Sequence, residues 1–182
     1  MYEKFGQFID GNWSPSENKE TYEVINPATE EVLGHASKAT PADVERALKS
    51  AEQGLQVWKK TPPWQRSYVL RKIADKMREK KDVLAKWMTL ENGKPLAEGV
   101  GETNGAADIF EWNAEETKRI YGQTVESRFE DTRVHVYYQP VGVVAALSPW
   151  NFPLILAARK ISTALAAGCS VIIKPDTITP GV

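Results

Sequence analysis

This sequence of 182 residues has few cysteines and histidines, and its net charge is close to zero. It contains one cysteine, Cys169, and two isolated histidines, His35 and His135. A single cysteine excludes a disulfide within the chain, and without a Cys/His cluster we predict no metal site. The formal net charge is −1, so charge gives no reason to expect nucleic acid or an anionic membrane surface as a partner.

A long uninterrupted apolar run is missing as well. The apolar stretch 140–158, which contains no charged residue, approaches the length of a membrane span, but three prolines and Asn151 interrupt it. A strand, a turn and a helix start explain it better than a membrane helix. The first residues are polar and resemble no secretion signal, so we predict a cytoplasmic globular protein.

Three kinds of pattern follow one another along the chain. Residues 1–40 indicate short strands and turns, with a hairpin signal at Asp10-Gly11-Asn12. Apolar residues at helical spacing follow, and two β-prone segments come after Gly122. We predict four helices: one after the N-cap Thr40, one from about Pro63, one capped by Asp82 and ending near Gly93, and one from about Leu96 to Tyr121, closed by Gly122. The two β-prone segments are 124–129 and 133–138.

The last third of the chain carries the strongest functional signal. Two apolar runs, Val141–Leu147 and Ser170–Ile173, flank a turn and a helical segment that starts near Pro153. This order predicts two parallel strands joined by a helix. Because ligands of open parallel sheets bind outside the carboxyl ends of the strands, we expect Asn151 and Lys174 to lie side by side at a ligand crevice.

Each polar residue in this region has a functional and a structural interpretation. Asn151, in a turn made rigid by two prolines, is suited to donate a hydrogen bond to a developing oxyanion, or it satisfies backbone groups of the turn itself. Lys174 is suited to ribose hydroxyls or a phosphate, or it extends into solvent from a sheet edge. Arg159 is suited to pair with a substrate carboxylate, or it is an ordinary surface arginine.

Two tempting motifs are set aside. No histidine lies near Cys169 to activate it, so we interpret this cysteine as a small core residue. The glycine-containing run 99–105 nearly matches a dinucleotide-binding fingerprint, but it lacks the third glycine at the required spacing and no strand precedes it.

Several motifs together resemble the aldehyde dehydrogenase superfamily over essentially the whole chain. They are SPWNFP (148–153), the pair Arg159-Lys160, LAAGCSVIIKP (165–175), TP (179–180), FIDGNW (8–13), INPATEEVLG (25–34) and LENGKPLAE (90–98).

The resemblance implies an α/β fold: the amino-terminal part of a Rossmann-like cofactor domain with a β-hairpin arm and an incomplete sheet. Residues 1–122 are then the amino-terminal hairpin and helices of the cofactor domain, 123–138 the first part of an oligomerisation arm, and 139–182 the first β-turn-α-β unit. The catalytic domain of the family is absent, since the chain stops at Val182. The whole protein is expected to form a dimer or tetramer.

The resemblance also implies NAD(P)-dependent oxidation of an aldehyde to an acid, with an acid semialdehyde such as succinate semialdehyde as substrate. In the family a cysteine thiolate attacks the aldehyde, hydride passes to the nicotinamide, and the thioester is hydrolysed. Asn151 corresponds to the oxyanion donor, Lys174 to the lysine at the adenosine ribose, and Arg159 to an arginine that binds a substrate carboxylate. The expected cofactor-binding residues are Ser148, Pro149, Trp150, Asn151, Lys174, Pro175, Asp176 and Thr177.

The choice between NAD and NADP depends on residue 177. Many NAD-preferring members have an acid there, whereas Thr177 has no charge to repel a 2′-phosphate, which is compatible with NADP; the neighbouring Asp176 weakens the argument. Because the nucleophilic cysteine and the general-base glutamate of the family lie beyond Val182, the chain alone should be inactive. The alternative is a stand-alone, non-catalytic module that binds nucleotide or associates with other subunits.

Overall fold

The structure, a computed structural model, describes residues 6–182, and its elements follow the predicted order of strands, helices and strands. The strands are β1 (Gln7–Ile9), β2 (Asn12–Ser14), β3 (Thr21–Ile25), β4 (Val32–Ser37), β5 (Gln123–Glu126), β6 (Arg133–Val136), β7 (Val143–Leu147) and β8 (Ser170–Lys174). The helices are α1 (Pro41–Trp58), α2 (Pro63–Glu79), α3 (Lys81–Asn92), α4 (Leu96–Glu116) and α5 (Pro153–Ala166), with a short 3₁₀ helix at Thr117–Arg119. The α/β class is therefore confirmed.

Within residues 6–182 the strands form four two-stranded sheets. Three are antiparallel hairpins, β1-β2, β3-β4 and β5-β6. The fourth pairs β7 with β8 in parallel, from Val143 opposite Ser170 to Leu147 opposite Lys174, with α5 as the connection. The carboxyl ends of these two strands therefore lie next to each other, as predicted.

The core lies between three helices. Leu70 and Ala74 of α2, Phe110 of α4 and Ala158 of α5 are buried in one cluster whose other members are mostly alanines. Such small side chains let helices approach closely. In the glycine run 99–105, Gly99 lets α4 also approach α3 closely, since a Cβ at Gly99 would lie 3.0 Å from the carbonyl oxygen of Ala85. The whole run 99–105 lies inside α4, so no strand precedes it.

Two helix boundaries differ from the prediction. Asp82 lies in the first turn of α3 and is not its cap, because the helix begins at Lys81 and has no side-chain cap. The fourth helix ends at Glu116 and not at Tyr121. The reason is tertiary: Thr117 is buried, and its hydroxyl donates to the carbonyl of Ala166 at 2.6 Å. The predicted end of the third helix is confirmed, since Gly93 follows it in the left-handed conformation (φ 77°).

The start of α1 is stabilised by a reciprocal cap. The backbone N–H of Asp43 donates to the Thr40 hydroxyl at 3.3 Å, and the Asp43 carboxylate accepts from the backbone N–H of Thr40 at 2.9 Å. The same carboxylate accepts the N–H of Glu17, and so joins α1 to the amino-terminal segment. Burial by itself would raise the pKa of Asp43, but these hydrogen bonds lower it far below its ordinary value.

Replacing Asp43 by asparagine should therefore destabilise the protein in a pH-dependent way. We expect Asp43→Asn to lower the free energy of unfolding by about 1–3 kcal/mol at pH 7, because hydrogen bonds to a charged group are lost. Since the folded-state pKa lies below the unfolded value of about 3.9, this contribution is present above that pH and is lost as the pH falls. Urea unfolding at pH 7 and near pH 3 checks it, with exposed Asp75→Asn on α2 as control. An equal difference at both pH values would contradict it.

Candidate active site

The candidate site is the turn that leaves the carboxyl end of β7 beside the end of β8. Ser148 begins this turn: its backbone N–H donates to the carbonyl of Lys174 at 3.1 Å, so the two strand ends stay joined. Its buried hydroxyl donates to the carbonyl of Pro153 at 3.0 Å and closes the turn onto the first residue of α5. The hydroxyl of Ser148 is thus engaged inside the turn, and the expected role of Ser148 at the cofactor stays a prediction.

The amino end of α5 is capped from another helix. Phe152, the residue before α5, provides no side-chain cap. The backbone N–H groups of Leu154 and Ile155 donate to one carboxylate oxygen of Glu102 at 3.0 and 3.1 Å. A carboxylate at this place satisfies N–H groups that have no partner within the helix, and it interacts favourably with the helix dipole.

Lys94 is the partner of that carboxylate. Its ammonium forms a salt bridge with Glu102, and the two residues are only 8% and 6% exposed. It also donates to the backbone carbonyl of Asn151 at 3.2 Å and lies 4.3 Å from the centre of the Phe152 ring. In this deeply buried pair, each charge is therefore balanced by its partner, and both side chains make further hydrogen bonds to the backbone.

A second side chain, from the end of α3, contacts the same turn. Asn92, the last residue of α3, donates its amide to the carbonyl of Trp150 at 2.9 Å. Asn92 and Lys94 together therefore contact three consecutive residues of the turn. Asn92 binds the carbonyl of Trp150, and Lys94 binds the carbonyl of Asn151 and lies over the ring of Phe152. The backbone of the turn therefore has little freedom.

The carboxamide of Asn151 is left available by this arrangement. Asn151 is exposed, and among residues 6–182 no hydrogen bond joins its side chain to another group. The alternative that its amide satisfies the turn is thus not what the structure shows, because Ser148, Asn92 and Lys94 do so. Its role as an oxyanion donor stays a prediction.

The end of β8 carries the other predicted cofactor residues. Lys174 is exposed and donates to the carbonyl of Pro175 at 3.0 Å. The Asp176 carboxylate accepts the backbone N–H of Ile178 at 3.0 Å. Asp176 also lies close enough to Tyr22 to contribute, after burial and Glu91, to raising the pKa of that phenol. Thr177, in contrast, is exposed.

These residues form a donor set that fits a nucleotide. The ammonium of Lys174 lies at the carboxyl end of β8, and the exposed Thr177 follows with its hydroxyl. The half-exposed ring of Trp150 follows the carboxyl end of β7, the parallel neighbour of β8. Pro149 is exposed in the same turn and Pro175 is partly buried beside Lys174. The chemistry suits ribose hydroxyls and phosphate oxygens, which accept hydrogen bonds from such groups.

Arg159 and Cys169 occupy the helix α5 and the amino end of β8, respectively. Arg159 is exposed on α5, in the second turn of the helix. Cys169 is 3% exposed and directly precedes β8, at the amino end of the strand whose carboxyl end is Lys174. A strand of five residues separates the two ends by roughly 15 Å. The interpretation of Cys169 as a buried core residue agrees with its position.

Sequence reasoning missed Lys94, Glu102 and Asn92. One signal was available: Glu102 occupies the buried face of α4, one helical turn from Ala106 and two from Phe110. A carboxylate within an apolar face needs a buried partner, and only the folded structure identifies Lys94 as that partner.

Within residues 6–182, every helix is too short or too polar to span a membrane. In the same range, no three or more His, Cys, Asp or Glu side chains are grouped in a way that could bind a metal ion.

Comparison with known proteins gives a family match over most of the chain. The model of the aldehyde dehydrogenase family matches residues 13–182. Glutarate-semialdehyde dehydrogenase of Pseudomonas putida is 46% identical over 173 residues, which are 95% of this chain and 36% of that protein. Succinate-semialdehyde dehydrogenase [NADP(+)] GabD of Escherichia coli is 44% identical over 94% of this chain and 36% of its own length.

Solved structures agree. The crystal structure of an E. coli NADP-dependent enzyme superposes with a TM-score of 0.95 at 42% identity, over 99% of this chain and 38% of that one. Betaine aldehyde dehydrogenase of Staphylococcus aureus, solved in complex with NAD+, gives 0.93 at 38% identity, over 96% and 35%. The chain spans 36% of the length of the curated relatives named above. Because the family model covers residues 13–182, the chain belongs to the aldehyde dehydrogenase family.

Proposed function

We propose that this chain supplies the oxyanion-binding and cofactor-binding part of an NAD(P)-dependent aldehyde dehydrogenase site. The observation that carries the proposal is the Asn151 carboxamide, which is left free on a turn whose backbone is bound on several sides, beside the strand end that bears Lys174. A donor that is fixed before the reaction stabilises a developing oxyanion without having to reorganise.

The proposed activity requires a nucleophile that these 182 residues do not provide. The reaction needs a thiolate that attacks the aldehyde carbon, and the only cysteine here is Cys169. It is buried and lies at the opposite end of β8 from Lys174. Residues 1–182 alone are therefore proposed to be inactive, and the activity is assigned to the whole protein that contains them.

The cofactor in this proposal is NAD or NADP, which supplies the hydride acceptor when bound. Lys174 would donate to ribose hydroxyls or a phosphate, and Trp150 would line the cleft. Asp176 is already engaged with the backbone N–H of Ile178, so the negative charge beside Thr177 is partly committed to its own turn. This favours NADP, the cofactor in the name of the E. coli relative.

For the substrate we propose an acid semialdehyde. The relatives at 46% and 44% identity are a glutarate- and a succinate-semialdehyde dehydrogenase, whose substrates carry a carboxylate. Arg159 is an exposed cation on the helix that follows the Asn151 turn, where a guanidinium can bind a carboxylate through two hydrogen bonds.

Residues 123–138 are proposed to be the first part of an arm that joins subunits into a dimer or tetramer. The hairpin β5-β6 is exposed at every residue of both strands, and Val125, Val134 and Val136 are among them. A two-stranded ribbon with exposed valines is marginally stable by itself and gains from a covering partner. The division into residues 1–122, 123–138 and 139–182 and the cytoplasmic location stay predictions.

Removing the Asn151 carboxamide should reduce turnover. We expect Asn151→Ala to lower kcat roughly 10²- to 10³-fold, the usual loss for one oxyanion donor, because the negative charge forms only during reaction. Aldehyde-dependent reduction of NAD(P)+ by the whole protein measures it. The matched control is Asn104→Ala, an exposed asparagine on α4, which should keep full activity. A full rate in Asn151→Ala would contradict the assigned role.

Arg159 should discriminate charged from uncharged substrates. We expect Arg159→Met to raise KM for succinate semialdehyde roughly 10- to 100-fold, since hydrogen bonds to a charged group contribute about 1.5–3 kcal/mol. KM for butanal, which has no carboxylate, should stay unchanged, and Arg159→Lys should fall between the two. Equal effects on both aldehydes would show that Arg159 does not bind the carboxylate.

An acid at position 177 should shift the enzyme toward NAD. We expect Thr177→Glu to lower the ratio of kcat/KM for NADP to that for NAD at least about tenfold, because a carboxylate there binds ribose hydroxyls and repels a 2′-phosphate. Steady-state kinetics with both cofactors measure the ratio, and Thr163→Glu on the exposed face of α5 controls for added charge. An unchanged ratio would place the cofactor ribose elsewhere.

A further inference from the structure

We propose that Lys94 and Glu102 are positioning residues for the Asn151 oxyanion donor. This inference rests on the proposed function of Asn151. It extends the site from the SPWNFP turn to the buried ion pair beneath it, and it assigns to Lys94 and Glu102 an effect on turnover.

The pair contacts the backbone at the donor residue and just after it. Lys94 donates to the backbone carbonyl of Asn151 itself at 3.2 Å. Three and four residues further on, Glu102 accepts the N–H groups of Leu154 and Ile155, the second and third residues of α5. The carboxamide thus extends from a backbone that one ion pair fixes at Asn151 and again at the start of α5.

Phe152, between these two anchors, also contacts the pair. Lys94 lies over its ring, 4.3 Å from the centre. A cation on an aromatic face restricts how the ring can rotate, and the ring belongs to the residue next to the donor. Lys94 therefore touches two consecutive residues of the turn, while Glu102 binds the helix that follows.

Burial makes this arrangement rigid. The Lys94 and Glu102 side chains are 6% and 2% exposed, so water does not compete for their hydrogen bonds. An oxyanion donor has to be in place before the charge develops, and a displacement of about 1 Å costs roughly 10²-fold in rate. A loosened turn should therefore lower kcat even when the aldehyde and the cofactor still bind.

A purely structural role predicts something different. If the pair only stabilised the fold, its removal would lower the amount of active protein, and the loss would be the same whether or not Asn151 is present. If it positions Asn151, its removal should have little effect once the carboxamide has gone. A double-mutant cycle separates the two cases.

The experiment is that cycle in the whole protein, with Lys94→Met, Asn151→Ala and the double variant. We expect Lys94→Met to lower kcat roughly 10- to 100-fold with KM for aldehyde and cofactor changed less than about threefold. In the Asn151→Ala background the same substitution should change kcat by less than about threefold. Active protein is counted by titration of the cofactor-binding sites, so that unfolded molecules do not enter kcat.

The outcomes are distinguishable. If Asn151→Ala lowers kcat and Lys94→Met lowers it by the same factor in both backgrounds, the positioning role is overturned while the proposed function stands. If Asn151→Ala keeps the full rate, the proposed function fails and the positioning role fails with it. Lys76→Met, which breaks the exposed Lys76–Glu79 pair on α2, is the matched control and should leave kcat unchanged.

A milder variant keeps the test valid if Lys94→Met does not fold, since it leaves a buried carboxylate unpaired. Asn92→Ala removes only the hydrogen bond to the carbonyl of Trp150, in the same turn, and leaves no buried charge. We expect it to lower kcat roughly tenfold, with little effect in the Asn151→Ala background. Glu102→Gln, which retains an oxygen for the N–H groups of α5, should likewise lower kcat. Wild-type kcat in both variants would overturn the inference.

Discussion

A buried ion pair between Lys94 and Glu102 joins the last third of the chain to the helices before it. Removing two charges from water costs several kcal/mol per ion, so such a pair persists only where further polar groups surround it. Here the first N–H groups of α5 and the carbonyl of Asn151 do so. The pair and the turn therefore depend on each other: the charges need the polar backbone, and the backbone needs the charges.

The other end of α5 is bound in a similar way. The indole N–H of Trp58 donates to the carbonyl of Leu165 at 2.8 Å, and the Thr117 hydroxyl donates to that of Ala166. Arg66, itself buried, donates to Thr117 in turn. Backbone groups at both ends of the helix are thus bound by side chains of other elements: Glu102 of α4 at the amino end, and Trp58 of α1 and Thr117 of the 3₁₀ helix at the carboxyl end. The orientation of α5 between β7 and β8 follows from these contacts, and with it the direction of the Asn151 turn.

The elements of this fold were largely predictable from periodicity, because apolar runs and cap residues act locally. The strands β7 and β8, the start of α5 near Pro153 and the stop at Gly93 are of this kind. The end of α4 was not predictable, since the helix passes at Thr117 into a 3₁₀ helix, and this residue binds α5, which lies far along the chain. The site divides in the same way: Asn151 and Lys174 follow directly from strand ends, whereas Lys94 and Glu102 acquire their meaning only once α3, α4 and α5 are packed together.

The source of the turn's rigidity has a consequence for how such a site can diverge. Residues 150 and 151 are bound through their backbone carbonyls, and the side chains that bind them belong to Asn92 and Lys94. The side chains at 150 and 151 contribute little to the conformation that displays them. Selection can therefore exchange the chemistry presented at these two positions while the shape of the loop is maintained from elsewhere. In this part of the molecule, the functional group that faces a ligand and the contacts that hold the backbone in shape belong to different side chains.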